Sequence, residues 1–402
     1  MACSASRYGL VLVAAALCLP SASEGGETTN APVDIGVRLE GIVTKTKVPG
    51  IAAVVLKGDM IVAEGAAGLR KSGSPDRVTI KDQFLLCSAG KAMTATLVAM
   101  AFENGKLTRS STLSEVFPEM TKMDAGWKSA TLGQLLEHRA GAPGDLDRFW
   151  TLLRIDFSQG TPAEKRRSVV ANILSHPPAY PPGSRYIYSS LDYFIICEVL
   201  EKINGGTSED LMRNQLWKPL GISDAGFGAP GSRGKIEQPW GHWGTVFTGH
   251  PVEPGRFVAD LTMPLFYGPV GAIHMSVIDW AKFISLNLQG DPENPHHHAN
   301  MISTNSFVAL HHSTQGTFYE SGWILLTRDW ANGHRAGDTG RVISSQGDNG
   351  FWHSEAWVAP EIDFAVVVVC NQGGPTPDKA ASIACKEAVD GQIRAFAASA
   401  PQ

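Results

Sequence analysis

Two apolar, β-prone runs near the start of the chain, Ile51–Lys57 and Met60–Gly65, are joined by Gly58-Asp59, a link that favours a hairpin. Before them, Val33–Lys45 mixes polar and apolar positions at helical period and stops ahead of Val48-Pro49-Gly50. The apolar run Phe84–Cys87 leads into Ser88-Ala89-Gly90-Lys91 and a helix-like stretch that ends at Asn104-Gly105. From about 106 to 340, helix and loop signals dominate. Thr131–His138, Leu191–Ile203, Glu209–Trp217 and Val277–Leu288 read as helices, the last with Ser276 as N-cap. Near the end, Trp352–Val358 and Phe364–Cys370 read as strands around the turn Ala359–Asp363, and Lys379–Ala397 as a closing helix. Strands at both chain ends with helices between them predict an α+β fold. Its antiparallel sheet is built from both termini and flanked by helices, with a mostly helical inserted region at about 106–340.

The chain has 402 residues, 43% hydrophobic and 18% charged, an ordinary globular composition with material for a large core. A formal net charge of −5 and no long basic run argue against nucleic acid as a partner, because neutralising phosphates takes clustered Lys and Arg. Arg7, the apolar stretch Leu10–Leu19 and the small residues Ser21 and Ser23 read as a signal peptide over residues 1–23. That apolar stretch is too short for a bilayer span, which takes about 20 residues. The expected product is exported, periplasmic or secreted. It has a flexible leader at 24–33, one domain at 34–397, and no stable membrane insertion once the signal is removed. Cys87, Cys197, Cys370 and Cys385 then remain, without a C-x-x-C pair, and are expected as buried thiols. A disulfide among them cannot be paired from sequence. His296-His297-His298 has no accompanying carboxylate or Cys ligand set and reads as a solvated loop. No metal or cofactor is called for.

Ser88-Ala89-Gly90-Lys91 carries candidate chemistry. A Ser hydroxyl needs a base within hydrogen-bond reach to act as a nucleophile, and residues i and i+3 share a helix face. At the start of a helix, Ser88 also meets free backbone N–H groups and the positive end of the helix dipole. The same spacing recurs at Ser232-Arg233-Gly234-Lys235, in a Gly-rich stretch with no helix to hold it.

The chain resembles the serine β-lactamase and penicillin-binding-protein family, in its class C and esterase-like branch. The likeness rests on Val48-Pro49-Gly50, Phe84–Lys91, Asn104-Gly105-Lys106-Leu107, Thr131–Pro143, Pro181–Tyr193, Pro219-Leu220-Gly221, Gly268–Phe283 and Trp352–Gln372. It implies a β-lactamase/transpeptidase-like fold and three active-site motifs. The first, Ser-x-x-Lys, falls on Ser88 and Lys91. The second, Tyr-x-Asn, falls on Tyr188-Ser189-Ser190, with Ser190 in the Asn position. The third, Lys-Thr-Gly or His-x-Gly, falls on Ser345-Gln346-Gly347, where the basic residue is missing. Lys71-Ser72-Gly73 and His242-Trp243-Gly244 look like that third motif but stand in the wrong order or context. His334 and His353 are other positions able to supply a positive group from a different place on the backbone.

The resemblance implies Ser88 as nucleophile, Lys91 and Tyr188 as its proton-transfer partners, and an oxyanion hole from the backbone N–H groups of Ser88 and Asp348. Ser190, Ser345, Gly347 and Asp348 would bind substrate, Gly347 because a side chain there would crowd it. A Ser at 345 cannot pair with a substrate carboxylate as Lys or His would, which disfavours β-lactams and D-Ala-D-Ala peptides. The expectation is a serine hydrolase acting through an acyl-serine on a small ester or amide. The alternative is a weakened family member that binds a ligand or cell-wall fragment without efficient turnover.

Overall fold

The computed structural model describes residues 31–144, 159–243, 250–255, 265–313, 316–374 and 380–399. The expected signal peptide lies outside them. In chain order the strands are β1 (Val33–Asp34), β2 (Gly50–Lys57), β3 (Met60–Gly68), β4 (Gln83–Leu85), β5 (Gly226–Phe227), β6 (Gly241–Trp243), β7 (His250–Val252), β8 (Ile273–Ser276), β9 (Tyr319–Glu320), β10 (Trp323–Thr327), β11 (Arg341–Asp348), β12 (His353–Ala359) and β13 (Phe364–Cys370). Eight of them form one sheet in the order β1-β3-β2-β13-β12-β11-β10-β9, antiparallel except for the parallel β1–β3 edge pair. The first and last segments of the domain therefore meet at β2–β13, in the middle of the sheet.

Strand β13, Phe-Ala-Val-Val-Val-Val-Cys, is apolar throughout because both of its faces are covered. Side chains alternate between two cores. Ala52, Val54, Leu56, Ala365, Val367 and Val369 join the large core under the helices α2 (Lys91–Glu103), α3 (Ser190–Asn204) and α4 (Val277–Gly290). Ile51, Ala53, Val55, Phe364, Val366, Val368 and Cys370 face the other way. They pack under the N-terminal helix α1 (Gly36–Thr46) and α5 (Ala380–Ser399), in a smaller core with Ala384, Cys385 and Ala388. Ser276 caps α4 by accepting from the Asp279 N–H at 3.1 Å, as its position before an apolar helix predicts.

The region 106–340 holds helices and the strands β5 and β8, which join β4 in a small sheet of order β4-β8-β5. It also contains β9 and β10, which belong to the main sheet. Periodicity alone does not separate a run as short as Trp323–Thr327 from a helical segment, so these strands were not legible as such. In the same region Arg166, fully buried on the helix Pro162–Leu174, pairs with Glu201 of α3 at 2.6 Å and with Glu209 at 2.8 Å, and donates to the Phe266 carbonyl at 3.0 Å. This clamp fixes α3, whose first turn carries Ser190. Replacing Arg166 with Met would leave two carboxylates without their buried cation. We expect a loss of about 3–5 kcal/mol in denaturant unfolding. A loss below about 1 kcal/mol would mean the carboxylates find other partners.

Candidate active site

Strand β4 delivers the chain to a single 3-10 turn, Cys87–Gly90, which runs directly into α2. Ser88 sits in this turn and Lys91 opens the helix. Cys87 has φ 51°, a left-handed conformation for a non-glycine residue that costs roughly 1–3 kcal/mol and persists only where its surroundings enforce it. Here they do. Leu86 donates its N–H to Ile273 of β8 at 2.8 Å, and its carbonyl accepts from the Ser354 hydroxyl of β12 at 2.7 Å. Gly347 of β11 packs so closely on the same turn that a Cβ there would lie 2.1 Å from the Leu86 carbonyl oxygen and 2.8 Å from the Ser88 nitrogen. Glycine at 347 is thus required by contact with the protein backbone, where the sequence reading expected a clash with substrate.

Ser88, Lys91 and Tyr188 are brought together. Lys91 Nζ donates to Ser88 Oγ at 3.0 Å, and the Tyr188 hydroxyl donates to the same oxygen at 2.6 Å. Lys91 is 1% exposed, lies 5.1 Å above the Tyr188 ring, and also donates to Ser190 Oγ at 3.4 Å. The segment carrying Tyr188 is pinned by the Thr131–Pro143 block. Thr131 and Gln134 form a reciprocal capping box, the Ile187 N–H donates to the His138 carbonyl at 3.0 Å, and Ser189 Oγ donates to the Pro143 carbonyl at 2.7 Å.

Under the Tyr188 ring lies His138, 4.5 Å away between centroids. Its Nδ1 donates to Asp192 at 2.9 Å, so its Nε2 accepts from the Tyr319 hydroxyl at 3.2 Å. Complete burial, helped by the nearby Lys91 charge, holds this imidazole well below the usual histidine range, and it is neutral.

Ser345 does not present its hydroxyl to the cleft. It is 1% exposed, and its Oγ lies 3.3 Å from the Ala89 carbonyl and 3.1 Å from the Gly322 carbonyl, tying β11 to the Ser88 turn. The next residue on the alternating strand, Gln346, is exposed and lines a cavity of about 290 Å3. Ser88, Tyr188, Gly347, Asp348 and His353 line it too, together with Tyr186, Phe318, Tyr319, Gly322 and Ile324. Gln346 and this aromatic wall were not singled out from sequence. Strand alternation from Ser345 points to Gln346, but the wall comes from segments distant in sequence.

His353 opens β12 directly opposite Asp348. Nδ1 meets Asp348 Oδ2 at 2.9 Å and Nε2 meets Glu355 Oε1 at 2.9 Å. Burial opposes a charge on this ring, but hydrogen bonds to the two carboxylates outweigh it and push His353 up to about 10. It is a positive group beside the cavity, committed on both nitrogens. Asp348 also accepts from the Gly350 and Gly374 N–H groups at 2.7 and 2.9 Å. His242 is buried, donating to the Asn371 carbonyl at 2.8 Å and accepting from the Ser72 N–H at 3.0 Å. His334 is exposed on a turn, and Ser232 and Lys235 stand on an exposed turn as well. None of these lines the Ser88 cavity.

The elements, in this order and with this sheet, are those of the β-lactamase/transpeptidase-like fold. A family model described as Beta-lactamase matches residues 38–388. The chain belongs to the Beta-lactamase family and, with it, to the serine hydrolases. It is 25% identical over 345 residues to penicillin-binding protein 4 of Amycolatopsis lactamdurans, covering 84% of this chain and 85% of that one. It is 26% identical over 172 residues to the lovastatin esterase of Penicillium rubens, covering 39% and 42%. Among solved structures it is similar to the D-alanine carboxypeptidase AmpC of Burkholderia cenocepacia, with TM-score 0.63, 17% identity, and coverage of 87% and 96%.

Two outcomes follow from this geometry. Gly347→Ala should displace the Ser88 turn, lowering Tm and abolishing labelling of Ser88 by an active-site phosphonate. Labelling at the wild-type rate would show that β11 can retreat. His353 binds a proton in the folded state that it releases when unfolded between about pH 6.5 and 10. Its contribution is therefore complete below the unfolded value and is lost as pH rises through about 10, at a slope of at most about 1.4 kcal/mol per pH unit. Denaturant titrations at pH 7, 8 and 9 should show that slope in the wild type and a shallower one in His353→Gln. Parallel slopes would remove His353 as the source.

Proposed function

We propose that the protein hydrolyses small esters or amides that lack a carboxylate beside the scissile bond, through an acyl intermediate on Ser88. The observation that carries this is the charge distribution around the cavity. Position 345 holds a buried Ser whose hydroxyl lies against two backbone carbonyls, and His353, the one positive group among the described lining residues, is bound on both nitrogens by Asp348 and Glu355. A substrate carboxylate would meet no free cation among the described lining residues. The aromatic wall of Tyr186, Phe318 and Tyr319 suits an apolar acyl or alcohol group, with Gln346 to hydrogen-bond a neutral one.

In this reading Lys91 or Tyr188, whichever has given up its proton, takes the proton of Ser88 as Oγ adds to the carbonyl carbon. The oxyanion accepts from the backbone N–H groups of Ser88 and Asp348, supported by the close approach of Gly347 to the Ser88 nitrogen. Tyr188 returns a proton to the leaving alcohol or amine as its bond to the acyl carbon breaks. Water then repeats the sequence on the acyl-serine and frees Ser88. His138 and Asp192 act from beneath: they hold the Tyr188 ring and touch no reacting atom. An ester substrate also accords with the similarity to the lovastatin esterase, over the part that matches. The reading places the enzyme outside the cytoplasm on the strength of Arg7, Leu10–Leu19 and Ser21–Ser23, with 34–397 as the working domain.

A fluorophosphonate probe should label Ser88 and fail on Ser88→Ala. Tyr188→Phe and Lys91→Ala should each lower kcat/KM for a p-nitrophenyl ester by roughly 10²–10⁴ while remaining folded. The ester should be turned over far faster than nitrocefin. Absence of labelling in folded protein would favour the ligand-binding alternative, and faster nitrocefin hydrolysis would reverse the substrate assignment.

A further inference from the structure

We propose that Cys370 and Cys385 form a disulfide that staples the C-terminal helix to the centre of the sheet. Sequence reading leaves four cysteines without a pairing. The structure separates them. Cys370 ends β13 and Cys385 lies in the second turn of α5, with the two sulfurs in contact at 3.4 Å. A disulfide needs a separation near 2.05 Å, so closure takes about 1.4 Å of movement shared between two side chains. The Cys87 sulfur lies 3.9 Å from each of the Leu85 and Trp352 carbonyls, and Cys197 lies in the core on α3. Among the described residues, no other two cysteine sulfurs are in contact.

Both thiols are fully buried, so the bond forms while α5 docks or when it opens, not by attack on the closed structure. The oxidant is a small-molecule or protein disulfide. A thiolate of one cysteine attacks it, releasing one thiol and leaving a mixed disulfide. The second cysteine thiolate attacks the protein sulfur of that mixed disulfide, releasing the other thiol. The pair gives up two protons and two electrons, and the oxidant is reduced to two thiols.

The position gives the bond a consequence. Cys370 is the register partner of His353, and the ring closed from 370 to 385 contains Gly374, whose N–H donates to Asp348. A staple here restrains both α5 and the connection that holds the Asp348–His353 corner of the cavity.

Trypsin makes the test direct. Cleavage after Arg341, Lys379 and Lys386 puts Cys370 and Cys385 on separate peptides, Val342–Lys379 and Ala380–Lys386. The reduced, unfolded full chain is refolded in a mixture of reduced and oxidised glutathione, alkylated with N-ethylmaleimide in denaturant, and digested. The expected result is one cross-linked peptide pair, two hydrogens lighter than the two free peptides and split by dithiothreitol, with Cys87 and Cys197 carrying maleimide. Maleimide or glutathione on both Cys370 and Cys385, or either one joined to any of the chain's other four cysteines, would overturn the assignment. The cross-linked protein should melt several degrees above the same protein after reduction. The Cys370→Ala, Cys385→Ala double variant should melt at one temperature in both buffers. Equal Tm for oxidised and fully reduced wild type would overturn the stapling role.

Discussion

Everything at the candidate site depends on one close approach of backbone to backbone, where β11 at Gly347 lies against the turn Leu86–Cys87–Ser88. That turn is not self-supporting. Cys87 holds a left-handed φ with a side chain attached, a conformation disfavoured for residues other than glycine. The neighbours compensate: β8 takes the Leu86 N–H, β12 caps the Leu86 carbonyl through Ser354, and Ser345 of β11 reaches the Ala89 carbonyl. Three strands therefore grip one turn of helix. The result is that Ser88 is held in a turn gripped from three strands, with its hydroxyl oxygen already accepting from Lys91 and Tyr188.

The electrostatics follow the same logic of commitment. Lys91 is a charge-bearing side chain with almost no exposure, set among hydroxyls and aromatic faces. Its neighbour His138 remains neutral, because burial and that nearby cation both oppose a second positive charge. On the other side of the cavity the balance reverses. Two carboxylates within hydrogen-bond reach outweigh the burial of His353 and keep it protonated. Two imidazoles in one site thus take opposite protonation states, and neither offers a free positive nitrogen to a ligand.

Much of this was legible along the chain. The hairpin β2–β3, the Ser88–Lys91 turn feeding a helix, the capped helix α4 and the apolar strand β13 are local patterns, each visible in a window of some ten residues. Long-range order was legible where a run was apolar on both faces, as in β13, since only a doubly covered strand tolerates that composition. What stayed hidden depended on register and on cross-chain contact. Strands β9 and β10 are too short to declare themselves. That Asp348 faces His353 depends on the tight connection between β11 and β12. That Ser345 turns inward while Gln346 faces the cavity depends on which side of β11 the helical layer occupies.

Those hidden features change the meaning of the departures from the family pattern. Read along the chain, Ser345 looks like a loss, a basic residue replaced by a small one. In the folded protein its hydroxyl has carbonyl partners at Ala89 and at Gly322 in the β9–β10 turn, so the position ties β11 to the Ser88 turn and to that connection. A longer, charged side chain there would have to displace those contacts and find room beside a backbone packed as closely as Gly347. The missing charge at 345 is thus built into the local packing, and a positive charge appears instead at His353, in the adjoining strand and already neutralised. Under the proposed function, such a site keeps Lys91 and Tyr188 on Ser88 while the described lining residues leave no free cation to select an anionic substrate. In that proposal, proton transfer at Ser88 and recognition at Gln346 rest on separate sets of residues.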